Sequence, residues 1–316
     1  MLSEGFLALQ NNCFPKEKQE ESIMASLFRS VFLKSFALEE PLIELYKIPH
    51  WVRDKAAQSM LPTEINLCKA YITEGFFYQF YSKVPSLTEI ENHITQAQTL
   101  GAQVLVIPNI RDCEDVNVLK DKEFIRVPGP TEAIVNMEEN IDQMISTRTS
   151  GFNLREIRRY KRLADRDYEL SYYKSQELPK NLIKVIAELH ELLIKKHDLP
   201  HNIYNERAIE EMISNDPDNS ILFILRHEKN TACPVQAMIL IQAGPHELHY
   251  QTQAINRNIV PFSQNLYKAS FYELFFYARD KSFKIVNLGR GDAEVKTSRY
   301  AANLSISQSN WIKCIS

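Results

Sequence analysis

The chain has 316 residues, of which 44% are hydrophobic and 24% charged, as in an ordinary soluble globular protein long enough for two domains. Its formal net charge of −3 argues against a protein that coats nucleic acid without sequence specificity. Five cysteines without a CxxC pair predict neither a disulfide framework nor a structural zinc site.

Short strands alternate with helices along the first half, which predicts a mixed α/β fold. Residues 22–47 have a helical pattern that is interrupted at Pro41. The aromatic run at residues 75–83 favours a strand. Short apolar runs at residues 104–107 and 124–127 predict two further strands, each closed by a proline.

A helix is predicted over residues 85–100, between these strands. Ser86 is placed to cap its N-terminus, and Glu89 is placed to complete a capping box. Gly101 follows, and glycine readily takes the left-handed conformation that ends many helices. No motif in this half indicates a function.

The second half predicts two helices, three consecutive strands, a long helix and two more strands, after a polar helical segment at residues 137–166. These elements lie, in order, at residues 182–196, 206–213, 221–225, 235–241, 248–255, 263–279, 284–288 and 306–312. Short turns favour antiparallel pairing of the three strands, and the long helix allows a parallel crossover to the next strand. This order of elements resembles that of a GNAT acyltransferase domain.

A local motif strengthens the resemblance. Residues 284–292, KIVNLGRGD, followed by Lys296, resemble the C-terminal motif of the FemAB-like and CelD-like branch of the GNAT superfamily. There a strand ends in glycine, arginine or a similar residue, glycine and an acid, with a lysine a few positions on. That branch often has an aromatic residue where this chain has Val295. The usual GNAT domain has a glycine-rich pyrophosphate loop where this chain has residues 256–263, which contain no glycine.

The resemblance covers roughly residues 135–315 and implies an α+β, GNAT-like acyltransferase fold. It allows two tandem GNAT-like halves. We therefore predict an N-terminal helical or degenerate GNAT-like domain at residues 1–135, and a catalytic GNAT-like domain at residues 136–316.

The motif contains three candidate catalytic residues. Arg290 offers a planar fork of donors that suits a carboxylate or a phosphate. Asp292 is placed to orient that arginine or to accept a proton from an amine. Lys296 is placed to bind a phosphate or a developing oxyanion. The alternative is an ordinary β-turn that carries a surface ion pair.

The third strand of the predicted meander supplies candidates for substrate contacts. Strict alternation places His249, Gln251 and Gln253 together on one face. In GNAT folds this strand borders the substrate cleft, so the resemblance implies that His249 is a general base. We expect Tyr204 and Tyr267 to line the same cleft. The alternative is a polar strand edge that faces solvent.

The donor's phosphates are predicted to bind where the long helix begins. Ser263 is placed to cap that helix, which would leave backbone amides at Gln264 and Asn265 for a phosphate. Arg257 could assist. The alternative is a plain helix cap.

A stripe of arginines at helical spacing precedes this region and forms one broad basic face: Arg155, Arg158, Arg159, Arg162 and Arg166. Of these, Arg155 and Arg159 are our candidates for binding the phosphates of coenzyme A, the arm of a carrier protein, or tRNA. The alternative is a solvated face, or a clamp between domains through Glu138 and Glu139.

Together these features predict transfer of an acyl group from a thioester, on coenzyme A or a carrier protein, to an amine of a small molecule, peptide or cell-envelope precursor. One alternative is a FemAB-like enzyme that uses aminoacyl-tRNA. Another is an inactive GNAT-like module that binds a ligand, because fold does not fix function.

We expect no metal and no membrane span. His197 and His201 stand four residues apart, but Leu199 and Pro200 break any shared helical face. No apolar stretch reaches the roughly 20 residues that a span needs. Residues 1–4 lack the basic-then-apolar order of a signal peptide, which predicts a cytoplasmic protein.

Overall fold

The computed structural model of the protein describes residues 42–44, 52–54, 68–73, 84–112, 114–196, 202–216, 218–290 and 292–315. The strand predicted at residues 75–83 and the His197–His201 pair lie outside them. Of the helical pattern predicted at residues 22–47, only 42–44 is described, and it is a strand. Ile43 is buried in a sheet there, and this tertiary burial overrides the local helical pattern.

In chain order the elements are β1 (Leu42–Glu44), β2 (Lys69–Ile72), α1 (Leu87–Thr99), β3 (Val104–Arg111), α2 (Asn117–Asp121), β4 (Ile125–Pro128), β5 (Glu132–Asn136), α3 (Ile141–Arg148), α4 (Gly151–Asp167), β6 (Tyr168–Lys174), α5 (Lys180–Lys196), α6 (Glu206–Ser214), β7 (Ile221–Glu228), β8 (Pro234–Gln242), β9 (Glu247–Ile255), α7 (Leu266–Asp280), β10 (Ile285–Arg290), α8 (Ala293–Tyr300), β11 (Leu304–Ile306) and β12 (Gln308–Cys314). They form two sheets with helices between and outside them, so the predicted mixed α/β class is confirmed.

The first sheet has the strand order β1-β2-β3-β12-β4. β2 and β3 are parallel and lie on either side of α1, and the helix and β3 are as predicted. The capping box of α1 is present: Ser86 Oγ accepts from the Glu89 amide at 3.3 Å, and Glu89 Oε2 accepts from the Ser86 amide at 2.6 Å. Gly101 has φ +70°, the left-handed conformation expected after the helix.

The second sheet has the strand order β11-β5-β10-β9-β8-β7-β6. β7, β8 and β9 form an antiparallel meander, and α7 carries the chain from β9 to the parallel strand β10. This three-strand meander and the parallel crossover are as predicted. β6, which pairs antiparallel with β7 after α5 and α6, was not predicted.

The two sheets exchange strands. β5 belongs to the second sheet, and β12 lies between β3 and β4 in the first sheet. The predicted boundary at residue 135 therefore falls inside β5. The single strand predicted at residues 306–312 is two strands, because the chain passes from the second sheet to the first at Ser307, whose carbonyl accepts from the Asp112 amide at 2.9 Å.

The three largest of the four apolar cores among the described residues hold these layers together. One joins a face of the first sheet to α5, α6 and one face of the second sheet, and it includes Val106, Ile186 and Phe223. Another packs α1 and α2 on the opposite face of the first sheet. A third packs α3, α4, α7 and α8 on the opposite face of the second sheet. The region between the sheets is where strand ends, α5 and α6 meet.

Candidate active site

An opening forms in the second sheet where β9 and β10 separate. Their parallel pairing runs from Glu247 opposite Ile285 to His249 opposite Asn287, and it ends there although β9 continues to Ile255. The register of β10 on β5 shifts between Asn287 and Arg290. Gly289 has φ +76°, which other residues adopt only with strain, so this glycine allows β10 to turn away from β9.

His249 lies at the point of separation and is paired with a carboxylate. Its Nε2 is 2.5 Å from Glu247 Oε1, and the imidazole is 2% exposed. Burial raises the pKa of Glu247, but the charge and hydrogen bond of His249, with the charge of Arg111, outweigh it and hold that pKa below its usual value. Our sequence analysis missed Glu247. Its spacing of two residues from His249 on a strand, which places both on one face, was the available signal.

A buried ionic network supports this pair from both sheets. Glu132 on β5 is fully buried and accepts from Arg111 Nη2 at 3.1 Å, from Asn287 Nδ2 at 3.3 Å and from Gln308 Nε2. Three carboxylate bonds of this kind are the condition under which a buried charge is tolerated. No sequence signal pointed to this network, because its members are far apart in the chain.

Arg290 is held by the first sheet. Its Nη1 donates to Asn109 Oδ1 on β3, and the Asn109 amide donates to Asn310 Oδ1 at 3.1 Å. Asn109 is buried with φ +58°, an uncommon conformation for a strand residue. Asp292 is exposed and caps α8, its Oδ1 accepting from the Val295 amide at 3.4 Å. The other glycine of the motif, Gly291, lies outside the described residues.

Lys296 is buried under the end of β10. Its Nζ donates to the carbonyls of Arg290 at 2.8 Å and Gly289 at 3.1 Å. Burial lowers the pKa of Lys296 to about 8; the charge of Arg290 also lowers it, while Asp292 and Glu132 oppose the shift. The lysine therefore ties α8 to the strand end that carries Arg290.

Gln251 lies on the α5 side of the sheet, as His249 does. Gln251 Nε2 donates to the Tyr204 hydroxyl at 2.7 Å, so two of the predicted substrate contacts meet. The ring of His190 lies 5.0 Å from that of Tyr204. His190 Nδ1 donates to the Ile186 carbonyl at 2.9 Å, and burial lowers the pKa of His190 to about 4. Its Nε2 is buried and has no hydrogen-bond partner in the described part of the chain.

Gln253 lies on the opposite side of the sheet, so the prediction that it shares a face with His249 is wrong. Tyr267, predicted to line the cleft, lies on that opposite side as well. The register of β8 on β9 shifts between Ile239 and Leu240, which makes a bulge and reverses the alternation after Gln251. Gln253 consequently accepts from Tyr250 and donates to Ser270 of α7. Tyr267 packs edge-on against Phe271 and Tyr300 within the third core.

The predicted cap of α7 is also wrong. Ser263 is exposed, and the helix begins at Leu266 with Asn265 as its cap, whose Oδ1 accepts from the Lys268 amide at 3.1 Å. Gln264 fixes the chain just before this cap. It accepts from the Tyr168 hydroxyl at 2.5 Å and donates to Asp167 Oδ2 at 2.7 Å.

Arg257 lies in the same loop, with its guanidinium 5.0 Å above the Phe262 ring. Burial lowers the pKa of Arg257, and its Nη1 has no hydrogen-bond partner among the described residues. Arg155 and Arg159 are exposed on α4. The predicted site residues are thus distributed over the opening, the loop before α7 and the surface of α4.

Comparisons with known proteins identify the fold. No protein-family profile matches the chain, and no curated protein sequence matches it significantly. The C-terminal domain of a putative lysylphosphatidylglycerol synthetase from Agrobacterium fabrum matches with a TM-score of 0.52 at 10% identity, covering 72% of this chain and 72% of that chain. FemX matches with a TM-score of 0.50 at 11% identity, and the match covers 78% of this chain and 80% of FemX. A conserved protein of unknown function from Bacteroides thetaiotaomicron has the same TM-score and identity, covering 79% and 80%.

At these identities the likeness concerns the fold alone. Together with the observed order of strands, it confirms the GNAT-like fold predicted from the sequence. Within the described ranges, no helix combines the length and apolar character that crossing a bilayer requires. Within those ranges, too, no three His, Cys, Asp or Glu side chains are grouped to hold a metal ion.

Proposed function

We propose that this protein is an acyltransferase that moves an acyl group from a thioester to an amine of a second substrate, in the opening between β9 and β10. The observation that carries the proposal is the buried Glu247–His249 pair at the point where the strands part. A general base is held there beside exposed strand backbone, which suits direct attack of an amine on a bound carbonyl.

The reaction needs no covalent enzyme intermediate. His249 takes a proton from the attacking amine, and Glu247 stabilises the imidazolium that forms. The amine nitrogen bonds to the carbonyl carbon, and the carbon–sulfur bond then breaks. Backbone N–H groups of β9 that have no β10 partner beyond His249 are suited to stabilise the oxyanion.

The remaining candidates bind or position rather than react. Arg290, oriented by Asn109, would bind an anionic group of the donor or the acceptor, and Lys296 would hold the strand end that carries Arg290. Gln251 and Tyr204 would contact the acceptor on the α5 side. The donor is an acyl-coenzyme A or an acylated carrier protein, and the acceptor is a small molecule, a peptide or a cell-envelope precursor.

A second candidate function is transfer from aminoacyl-tRNA. It is favoured by the exposed arginines of α4 and by the lack of glycine in the loop before α7. A tRNA user would be retained on immobilised tRNA, and its retention would fall steeply as salt is raised.

The proposal is tested by thermal shift and turnover with coenzyme A, short- and long-chain acyl-coenzyme A, acyl-pantetheine and bulk tRNA. A thioester that binds the folded state raises the melting temperature with its concentration. We expect such a shift, and release of free thiol when amines are added. If no thioester raises the melting temperature but tRNA does, the second candidate is supported. If neither a thioester nor tRNA has an effect, an inactive binding module remains.

Variants test the residue assignment. His249→Gln should abolish most turnover, whereas His246→Gln, on an exposed histidine just before the same strand, should not. If Arg290→Ala and Asp292→Ala both retain full activity, the assignment of the motif to the site is wrong.

A further inference from the structure

Three arginines on the outer face of α4 have no ionic partner among the described residues. Arg155, Arg159 and Arg162 are exposed and make no ion pair or hydrogen bond with any residue in the described part of the chain. Their neighbours differ, because Arg158 pairs with Asp142 and Arg166 pairs with Asp167. At 100° per residue the three side chains fall within roughly 60° of the helix circumference, so they form a single row. We call this row the α4 arginine row.

The row faces away from the protein. Asn153, Ile157 and Ala164 lie on the buried side of α4, roughly opposite the arginines. Repulsion among three aligned cations is unfavourable in the free protein, and a bound anionic surface would relieve it. The row is therefore an unsatisfied positive surface on a protein whose net charge is −3.

Contacts at the C-terminal end of α4 connect this helix to the loop before α7. Arg166 bonds to Asp167, and Asp167 accepts from Gln264 Nε2 at 2.7 Å. Gln264 belongs to the loop at residues 256–265, which leaves β9 directly after Ile255. The C-terminal end of α4, the helix that carries the row, is thus joined to the loop that follows β9.

The same loop exposes apolar side chains. Phe262 is 75% exposed and Ile259 is 40% exposed, and Arg257 stacks on Phe262. Exposed aromatic side chains beside arginine are the composition that is enriched in protein–protein interfaces. The surface therefore combines a charged row with an apolar anchor.

The start of α7 offers little to a diphosphate. The Leu266 amide donates to the Gln264 carbonyl at 2.9 Å, and the Ala269 amide donates to the Asn265 carbonyl at 3.2 Å. The Lys268 amide is taken by the Asn265 side chain. A donor held chiefly through a pyrophosphate at this helix end would have to displace these bonds, so its main anchor belongs elsewhere.

We propose that the α4 arginine row, together with Arg257, Ile259 and Phe262, docks an acidic acyl carrier protein whose prosthetic arm delivers the thioester to the opening. This inference rests on the proposed function. The amine displaces the thiolate from the acyl carbon, and the arm leaves as a thiol with the proton removed from the amine. No oxidant or other co-reactant is needed.

Acidic protein fits this surface better than RNA does. The row is one helix face wide and about 11 Å long, and carboxylates of Asp142, Asp165 and Asp167 lie near it. A nucleic-acid backbone running past the row would meet these carboxylates, whereas one acidic helix can lie along it. The exposed Phe262 then packs against an apolar side chain of the partner.

The first experiment measures docking without chemistry. Fluorescence anisotropy follows an unacylated, phosphopantetheine-free carrier protein titrated with the wild type and with Arg155→Glu/Arg159→Glu/Arg162→Glu. The matched control is Lys180→Glu/Lys184→Glu/Lys195→Glu, which makes the same charge change on exposed positions of α5. We expect the row variant to bind at least about tenfold more weakly, the control to bind like the wild type, and wild-type binding to weaken with salt. Equal binding by the row variant and the wild type, or wild-type binding to RNA or anionic vesicles but not to the carrier, would overturn the proposal.

The second experiment separates docking from acyl transfer. The same acyl group is offered on the carrier protein and on pantetheine alone. The docking proposal requires that the row variant lose kcat/KM only with the acyl-carrier and keep turnover of acyl-pantetheine. Equal turnover of both donors by the wild type and the row variant contradicts it. Absence of turnover with either donor, while unacylated carrier still binds through the row, would contradict the proposed reaction and support the docking surface.

Discussion

Buried polar side chains on the two faces of β9 differ in what they contact. On the α7 face these groups satisfy one another: Tyr250 donates to Gln253, and both Gln253 and Gln236 donate to Ser270 Oγ, at 3.3 and 2.6 Å. Gln236 also accepts from Arg226 at 2.7 Å. A closed network of this kind specifies how α7 packs and leaves nothing for a ligand.

On the α5 face the polar groups meet the opening. His249 and Glu247 pair where the strands separate, Gln251 reaches Tyr204, and His190 Nε2 has no partner within the described residues. The difference teaches that burial of polar residues does not by itself indicate a site. What distinguishes the α5 face is that its polar groups converge on separated strand backbone.

The largest expected effect is on chemistry at the α5 face. His249→Gln keeps the size and a hydrogen bond to Glu247 but removes the base, so we expect kcat to fall by about 10²–10⁴-fold. Steady-state kinetics with the thioester found in the screen measures it. If this variant instead loses as much unfolding free energy as a variant in the α7-face network, the distinction between a catalytic α5 face and a structural α7 face is wrong.

The corresponding change on the α7 face should affect stability. Arg226→Met leaves Glu273 buried without its main cation, which should cost about 3–5 kcal/mol of unfolding free energy. Burial raises the pKa of Glu273 even beside Arg226, whose charge and hydrogen bond oppose the shift. In the variant Glu273 should take up a proton as pH falls, which removes the unpaired buried charge. The loss of unfolding free energy should therefore be smaller at pH 5 than at pH 8. Urea unfolding at the two pH values measures this free energy and its pH dependence. The control is Arg279→Met, which removes the cation of a partly exposed ion pair and should change the free energy of unfolding by less than about 1 kcal/mol.

Lys296 gives a pH signature at the end of β10. Its pKa is lowered from 10.5 to about 8 by burial, so the unfolded chain binds more protons between these values and the folded state gains stability as pH rises. Relative to Lys296→Met, the free energy of unfolding of the wild type should rise by on the order of 3 kcal/mol between pH 8 and pH 10.5. Unfolding free energies of both proteins across that range provide the test. A flat difference would mean that Lys296 keeps an ordinary pKa.

The smallest effect sharpens the comparison within the α5 face. Tyr204→Phe removes the hydroxyl that accepts from Gln251 and should cost about 0.5–1.5 kcal/mol of stability. If Tyr204 contacts the acceptor, KM for the amine should rise severalfold while kcat changes little. Tyr277→Phe, on a partly exposed tyrosine of α7 that stacks on Tyr172, should leave both quantities unchanged.

Local patterns predicted the elements that local interactions form. The capping box at Ser86 and Glu89, the meander of β7 to β9 and the crossover through α7 all follow from spacing, turn residues and periodicity. The pairing of His249 with Glu247 could have been predicted too, since it needs only strand alternation.

Non-local features could not be predicted from these patterns. One extra residue at Gln251 reverses the alternation of β9 and moves Gln253 to the other face, which no period-two rule can anticipate. The contact of Arg290 with Asn109 spans 181 positions, and that of Gln308 with Glu132 spans 176. Such partners are decided by which strands meet in the sheets, not by their neighbours in sequence.

The position of β12 has a consequence for synthesis on the ribosome. β3 and β4 have no direct pairing with each other in the first sheet, because β12 fills the place between them. At roughly 5–20 residues per second, the approximately 180 residues between β4 and β12 take on the order of 10–40 s to translate. For that time the nascent first sheet presents two unsatisfied strand edges, so this protein should depend on whatever shields such edges while the second sheet is being made.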